Sequence, residues 1–555
     1  MKRFWVAFTF FVVVSALEAQ GIRPYFSMIS AGDPVLEDLR FLIIQSGKSF
    51  LSLTPPLSRD EVLLIMRDID TDTLSDGGEA AYNRITNALN PKPLYSNEFF
   101  SADAHIKAGI EARVRTNPVV SWTQNVADSP ALLALPVNLY IADRVQLFIE
   151  PSFAQSRWYY DEPGTYFGTN TPPPPDALKR FDANMPLRAF LAAGGPWWNF
   201  EIGRDRLSYG LGRTGNMALS DTPDYYDMAR LSLFSSVFKY SVLISQMPLT
   251  VSDGIAPDFS GLNETAVKTT TQRYFYAHRF DVRLFRRISI GLTEGIMVGN
   301  SPLEARFLNP MAIFHAFAAW RDYDGWEGTD NPDHADMVGS LFSLDLNWAI
   351  MSGLSLYGQF VMNEWAIPSE MEGWPENVVP NATGFLAGLE YTRDFRGWAA
   401  SFYAECMYSD PYLYILSTPF ASYIWMRRVF DSSSDSEALR YRWIGHPEGR
   451  DTVMYTVGSS FSRENLGCFL NVSFVQKGDH TIQWDWNMGR GYTDQKTPSG
   501  IPENNLRLAL GANWKPFGWL ELSAQTGGSI IFNHGHTSGT QEYGLDAILS
   551  IRFIY

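Results

Sequence analysis

The sequence predicts an all-β transmembrane barrel of about eighteen antiparallel strands, preceded by a small periplasmic bundle of three helices. Three observations predict it. From about residue 98 onward, apolar and polar residues alternate with a period of two. The connections between the alternating segments are short and long in turn. The chain also stops on an aromatic, Tyr555, in phase with the outward face of its last segment. Composition agrees. The 555 residues carry 44 Lys and Arg against 60 Asp and Glu, a formal charge of −16. With no long basic run, this argues against nucleic acid, whose binding rests on neutralising phosphates. Hydrophobic residues reach 45% and charged ones 19%, so the chain is not disordered by composition. Two cysteines exclude a disulfide scaffold and a multi-cysteine zinc module.

Residues 1–19 read as an export signal. Lys2 and Arg3 precede the uncharged run Phe4 to Leu17, and the small residues Ser15, Ala16 and Ala19 suit cleavage. That run is 14 residues long, short of the roughly 20 that a spanning helix needs. Residues 20–96 read as the periplasmic helical segment. Asp33-Pro34 is an N-cap with proline at the first helical position, and Gly47 ends the first helix. Ser58-Arg59-Asp60-Glu61 is a capping box leading Val62, Ile65, Met66 and Ile69. Gly77-Gly78 reads as a break before a third helix over about Glu79 to Leu89, stopped by Asn90-Pro91.

Residues 97–555 read as the barrel. Ile106, Ala108, Ile110, Ala112 and Val114 alternate with polar partners; so do Phe342, Leu344, Leu346 and Trp348, and later Leu506, Leu508 and Leu510. Tyr543, Leu545, Ala547, Leu549, Ile551, Phe553 and Tyr555 share one face. Outward side chains of such strands meet lipid, and inward ones need not be apolar. Connections such as Ala193 to Pro196, Ser352-Gly353, Arg396-Gly397 and Lys515 to Gly518 are turn-like, whereas 300–337, 365–383, 410–451 and 478–503 are long. Short turns belong to the periplasmic side and long loops to the outside. Cys406 and Cys468 fall on the outward phase of different strands, so a disulfide between them is not expected. Glu294 falls on the outward phase with Leu292 and Ile296; a carboxylate in lipid is costly, so a bulge near Glu294 or a position above the membrane is expected.

Several short segments carry a resemblance: Leu57 to Asp60, Ile202 to Asn216, Arg273 to Arg279, Gly291 to Glu294, Phe307 to Pro310, Gly445 to Asp451 and Glu542 to Gly544. Together they resemble the capsule-assembly outer-membrane family, the Wzi-like surface-polysaccharide lectin barrels. The resemblance implies a barrel of about eighteen strands with a periplasmic helical bundle, and binding of acidic surface polysaccharide without catalysis. The aromatic ending resembles that of outer-membrane barrels, where it serves the assembly machinery as a signal. Partners expected on this reading are outer-membrane lipid, surface polysaccharide and that machinery, with no nucleic acid, metal or cofactor.

Two groups of residues are candidates for holding a glycan. Arg273, Arg279, Asp281 and Arg283 fall on the inward phase, and guanidinium forks suit carboxylates while carboxylates take sugar hydroxyl pairs. The competing reading is an interior ion-pair network that only rigidifies the barrel. Arg204, Arg206 and Arg213 surround Gly210, Gly212 and Gly215, where a backbone can approach a ligand or merely shape a loop. Among the aromatics, Trp326, Trp374 and Trp443 lie far enough into loops to stack on sugar faces; those at strand ends read as the interfacial girdle. Asp330, Asp333, His334 and Asp336 read as a solvated acidic loop rather than an ion site. No nucleophile triad, HExxH or phosphate loop occurs, so an enzyme is not expected. The alternative function is a porin-like channel for small solutes, decided by whether the helices or an inward loop, with 300–337 the best candidate, close the lumen. A third is a surface adhesin carried on 410–451.

Overall fold

The structure, a computed structural model, describes residues 25–52, 54–117, 131–153, 164–167, 188–250, 270–299, 302–309, 312–314, 338–365, 372, 380–415, 421–431, 436–482 and 496–555. The expected export signal lies outside the described residues, as do the acidic stretch 330–336 and both Trp326 and Trp374.

One large antiparallel sheet dominates. Its main strands are β1 (Phe100–Ala104), β2 (Lys107–Arg115), β3 (Val137–Ile141), β4 (Val145–Ile149), β5 (Ala189–Gly195), β6 (Trp198–Asp205) and β7 (Tyr226–Phe234). There follow β8 (Phe238–Gln246), β9 (Arg273–Leu284), β10 (Ile288–Gly299), β11 (Val338–Met351), β12 (Leu354–Glu364) and β13 (Ala382–Phe395). The rest are β14 (Trp398–Ser409), β15 (Thr452–Arg463), β16 (Leu466–Lys477), β17 (Glu503–Phe517), β18 (Leu520–Phe532) and β19 (Gln541–Ile554). From β3 to β19 each strand pairs with the next, β1 pairs with β3, and β19 pairs with β2 from Asp546↔Arg115 to Ile554↔Lys107. Among the described residues no helix is long and apolar enough to cross a membrane.

The period of two sorts the two faces. On β11, Leu344, Leu346 and Trp348 are exposed, while Ser343, Asp345 and Asn347 between them are buried. Apolar side chains outside and polar ones inside is the reverse of a water-soluble sheet, and it is the pattern of strands that cross lipid. Large rings such as Trp197, Phe285, Phe395 and Trp519 are exposed at the short turns, where an interfacial girdle belongs. Cys406 and Cys468 are both free.

At Glu294 the first of the two expected alternatives fails. No bulge occurs there: β9, β10 and β11 run in regular register through His278↔Glu294↔Phe342. The carboxylate instead bonds His278 Nε2 at 2.9 Å. Phe314 stacks on the His278 ring at 4.5 Å, and Phe307 and Phe314 pack with Tyr276, Ile296 and Val298. Phe307 and Phe314 therefore lie on the outward face of β9 and β10 and shield the pair. A carboxylate hydrogen-bonded to a ring and under aromatic cover has no need of a phase change.

Among the described residues, three α-helices precede the large sheet: α1 (Pro34–Gln45), α2 (Arg59–Met66) and α3 (Asp76–Leu89). The Asp33 cap and the Ser58–Glu61 capping box are both formed. Gly77-Gly78 does not break the chain. Ser75 caps α3 by accepting from Gly78, and Asp394 of β13 accepts from Gly77. A Cβ at Gly77 would stand 2.6 Å from the Asp394 carboxylate, so glycine here serves close docking on the sheet. Nor do the helices make a freestanding bundle. α1 and α3 lie side by side, and their apolar cluster takes in Ala399 of β14. The polar groups explain why: Arg40, Glu61 and Asp68 find their partners on the sheet's buried face rather than on one another.

Candidate functional site

The sheet's buried face is packed from two ends. From the short-turn end come the helices. Arg40 of α1 bonds Glu390 of β13 at 2.6 Å, with both groups buried; Lys239 of β8 holds Glu61 at 2.5 Å; Arg283 of β9 holds Asp68 at 2.6 Å. Arg230 of β7, wholly buried, donates to the Thr54 and Pro56 carbonyls between α1 and α2. Unpaired, such charges would be prohibitive in the interior. Paired across elements, they fix the helical segment against the wall.

From the opposite end comes the connection between β6 and β7. Its Arg213 reaches both Glu390 on the wall and Glu37 on α1. Its backbone is clamped as well: Arg213 and Thr214 N–H groups donate to Glu405 at 2.7 and 2.9 Å, and Tyr357 donates to the same carboxylate at 2.8 Å. Burial opposes the Arg213 charge, and Glu37 with Glu390 more than reverse this, raising its pKa well above the usual value. Gly210 and Gly215 have φ of +132° and +144°, and a Cβ at either would stand 2.1–2.2 Å from Gln359 or Pro447. The close approach that these glycines permit is thus to the protein's own wall, not to a ligand.

The other sequence candidates are also consumed. Arg273 is fully buried and donates to the Met247, Ser422 and Ile424 carbonyls. Arg279 forks onto Asp281 and bonds Asp345 at 2.5 Å and Thr293 at 2.9 Å. This is the rigidifying network of the competing reading. Arg283 lies at the short-turn end on Asp68 and the Ser236 carbonyl. Arg204 forks onto Asp227 at 2.7 and 2.9 Å and stacks over Tyr225 at 3.8 Å. Arg206 lies half-buried beside Gly32. Of the predicted tryptophans, the one within the described residues, Trp443, is 6% exposed and packs on Tyr414 at 5.7 Å.

Trp443 nevertheless borders a pocket. Parts of 410–451 pack inward. Tyr412, Leu413, Tyr414, Tyr423, Ile424 and Trp425 join Leu207, Tyr209 and Met217 in the main apolar cluster. A hairpin of Ile424–Asp431 with Ser436–Trp443 follows, and beside it opens a pocket of about 440 Å³ at the long-connection end. Tyr441, Arg442, Trp443, Glu448, Lys477 and His480 line it, together with Glu503 and His536. Lys477 bonds Glu448 at 2.7 Å and is 40% exposed; Arg507 holds the same carboxylate from below. Burial pushes the Glu448 pKa up, but Arg507 and Lys477 outweigh it and hold it well below the usual range. Next to it, burial pulls His446 down to about 4. The pocket is therefore lined by aromatic rings, a fixed carboxylate and the cations Arg442 and Lys477. Of these residues only Trp443 was picked out from sequence. Gly445 to Asp451 carries a motif, but the pocket draws on four stretches of the chain, near 441–450, 477–482, 503 and 536, that share no period.

The described residues thus form one meandering antiparallel sheet whose buried face is packed by helices and loops. A solved structure with this fold is Wzi of Escherichia coli, an outer membrane protein involved in group 1 capsule assembly and a carbohydrate-binding β-barrel. It matches with a TM-score of 0.56 at 12% identity, over 94% of this chain and 99% of that one. The model of the family described as capsule assembly protein Wzi matches residues 133–542, and the chain belongs to that family. OprD of Pseudomonas aeruginosa (TM-score 0.39, 8% identity, 82% of this chain and 95% of that one) and OmpT of Vibrio cholerae (0.31, 10%, 83% and 100%) are looser matches. No curated protein sequence matches the chain.

Proposed function

We propose that this protein is an outer-membrane barrel that holds surface polysaccharide at its outer mouth and so helps assemble or retain capsule, without catalysis. In this reading residues 1–19 are the export signal and 20–96 the periplasmic segment. Residues 97–555 form a barrel of about eighteen strands, β1 and β2 counting as one and β19 closing on β2. The short turns face the periplasm, the long connections face outward, and the aromatic end engages the barrel assembly machinery. The observation that carries the binding role is the pocket of Tyr441, Trp443, Lys477 and Glu448 at the long-connection end. Rings there stack on sugar faces, while Arg442 and Lys477 meet the carboxylates of an acidic glycan. The packed interior speaks against a freely open porin.

The test is calorimetric titration of the refolded protein with an acidic polysaccharide. Arg442→Ala with Lys477→Ala is expected to weaken binding by about tenfold or more. Arg273→Ala is expected to act on stability instead, because its donors serve carbonyls inside the fold. Unchanged affinity in a folded Arg442/Lys477 double variant would remove the pocket from the proposal.

A further inference from the structure

The interior is not filled evenly. Between α1 and the inner faces of β14 to β19 lies a cavity of about 600 Å³, within the roughly 300–1,000 Å³ of small-molecule sites. Strand register lays out its wall. The middle row is Ser460↔Phe469↔Gly511↔Gln525↔Ile548, and each of its members that has a side chain lines the cavity. Towards the short turns the next row includes Asn513, which borders the cavity and is exposed, so the cavity opens at that end. In the other direction the row of Asn471↔Ala509 no longer lines it.

The middle row combines a ring with free hydrogen-bonding groups. A Cβ at Gly511 would stand 2.5 Å from Phe469 Cε1, so the half-buried ring lies across the β17 backbone. Ser460 and Gln525 flank it, and among the described residues neither side chain has a hydrogen-bond partner. Other polar groups of the wall are already used. Asn513 donates to Glu521 at 2.8 Å, Ser401 donates to Glu390 at 2.7 Å, and Ser523 and Ser550 bond each other. The ionic groups are matched as well. Arg84 holds Asp38, Arg40 and Arg213 hold Glu390, Arg213 also holds Glu37, and Glu521 lies between Arg552 and Lys515. Glu111, the remaining carboxylate, is 2% exposed.

We infer that this cavity is a second saccharide site, taking a short uncharged oligosaccharide from the short-turn end. Water alone can satisfy Ser460 and Gln525, but it gains nothing against the Phe469 ring. A pyranose covers such a ring with its C–H face and turns its hydroxyls to the flanking serine and amide. Ser460 and Gln525 are three strands apart, about 14 Å at roughly 4.8 Å per strand, a span for linked sugars rather than one. Since the ionic groups neutralise one another, nothing there selects a charged ligand. The outer pocket differs in this respect, because its Lys477 is 40% exposed. That the short-turn end is periplasmic rests on the barrel proposed above.

The test reads this cavity apart from the outer pocket. In a Cys406→Ala, Cys468→Ala background, Asn513→Cys reports occupancy through its rate of reaction with methyl methanethiosulfonate. Maltose, cellobiose and lactose are the probes. At least one is expected to slow that reaction by about tenfold near saturation. Phe469→Ala, and separately Ser460→Ala with Gln525→Ala, should each raise the concentration for half protection by about tenfold. Phe469→Tyr should retain protection, and so should Arg442→Ala with Lys477→Ala. Protection by none of the three sugars would leave the cavity to water and overturn the inference. So would protection that survives both the Phe469→Ala and the Ser460/Gln525 changes, or that vanishes with Arg442 and Lys477. Labelling of Asn513→Cys from outside intact cells by a membrane-impermeant thiol reagent would instead count against the orientation proposed above.

Discussion

The two halves of the sheet's inner face obey the same alternation and have opposite interiors. On β5 to β13 small inward residues such as Ser232 and Ser343 are buried, and so are the charged Glu201, Arg230, Arg273, Arg279, Asp345 and Glu390. On β15 to β18 the inward residues near the short turns are Ser460, Ser462, Asn513, Ser523 and Gln525, and they border open space. The difference lies in what the rest of the chain supplies. α1, the stretch before α2 and the β6–β7 connection bring Arg40, the Thr54 carbonyl and Arg213 to the first half, whereas little reaches the second. An inward residue is therefore a core residue or a wetted one according to its distant partners, not according to its strand.

Four variants sharpen or break that contrast. The largest effect belongs to Glu390→Ala. It strands Arg40 and leaves Arg213 with Glu37 as its carboxylate partner, and breaking a buried pair costs about 3–5 kcal/mol; urea unfolding followed by tryptophan fluorescence measures it. Acid should loosen the same half. His446 has a folded pKa of about 4 against an ordinary 6.5, so the unfolded chain takes up the proton first. Stability contributed by the neutral ring is complete above about pH 6.5 and is lost as the pH falls towards 4, a change on the order of 3 kcal/mol. His446→Gln should flatten that part of the profile. Gly215→Ala forces a side chain onto φ of +144° and into Pro447, costing about 1–3 kcal/mol. Ser460→Ala, in the open half, should stay within about 0.5 kcal/mol. A Ser460 cost equal to that of Glu390 would erase the distinction between the halves.

This contrast also explains what was readable in the sequence. The outward face is dictated by the surroundings, so its period of two survives in every strand, and the spans of β9 to β19 follow from it closely. Local signals at Asp33 and Ser58 likewise located two helix starts. The filling is another matter. Arg213 and Glu390 lie 177 positions apart, and nothing in either neighbourhood announces the other. Arginines on the inward phase therefore looked available for a ligand, although Arg273, Arg279 and Arg283 are spoken for. Gly77-Gly78 misled for the same reason. Its use is a contact with Asp394, which local propensity does not encode.

The pairing of β19 with β2 has a consequence for how the molecule is made. Ile106 and Tyr555 exchange backbone hydrogen bonds at 2.7 and 2.9 Å, so the last contact of the meander joins residues separated by nearly the whole chain. Closing a loop of that length costs on the order of 5 kcal/mol in chain entropy. Until it closes, both outer strands present unpaired N–H and C=O groups, which invite pairing with other chains. Hairpins β9 to β18 join neighbours in the chain, whereas this seam joins distant segments. The rate of assembly is then set by how long two edges half a molecule apart are kept from alternatives, and a lesion at Ile106 or Tyr555 should show as aggregation during biogenesis before it shows as lost stability.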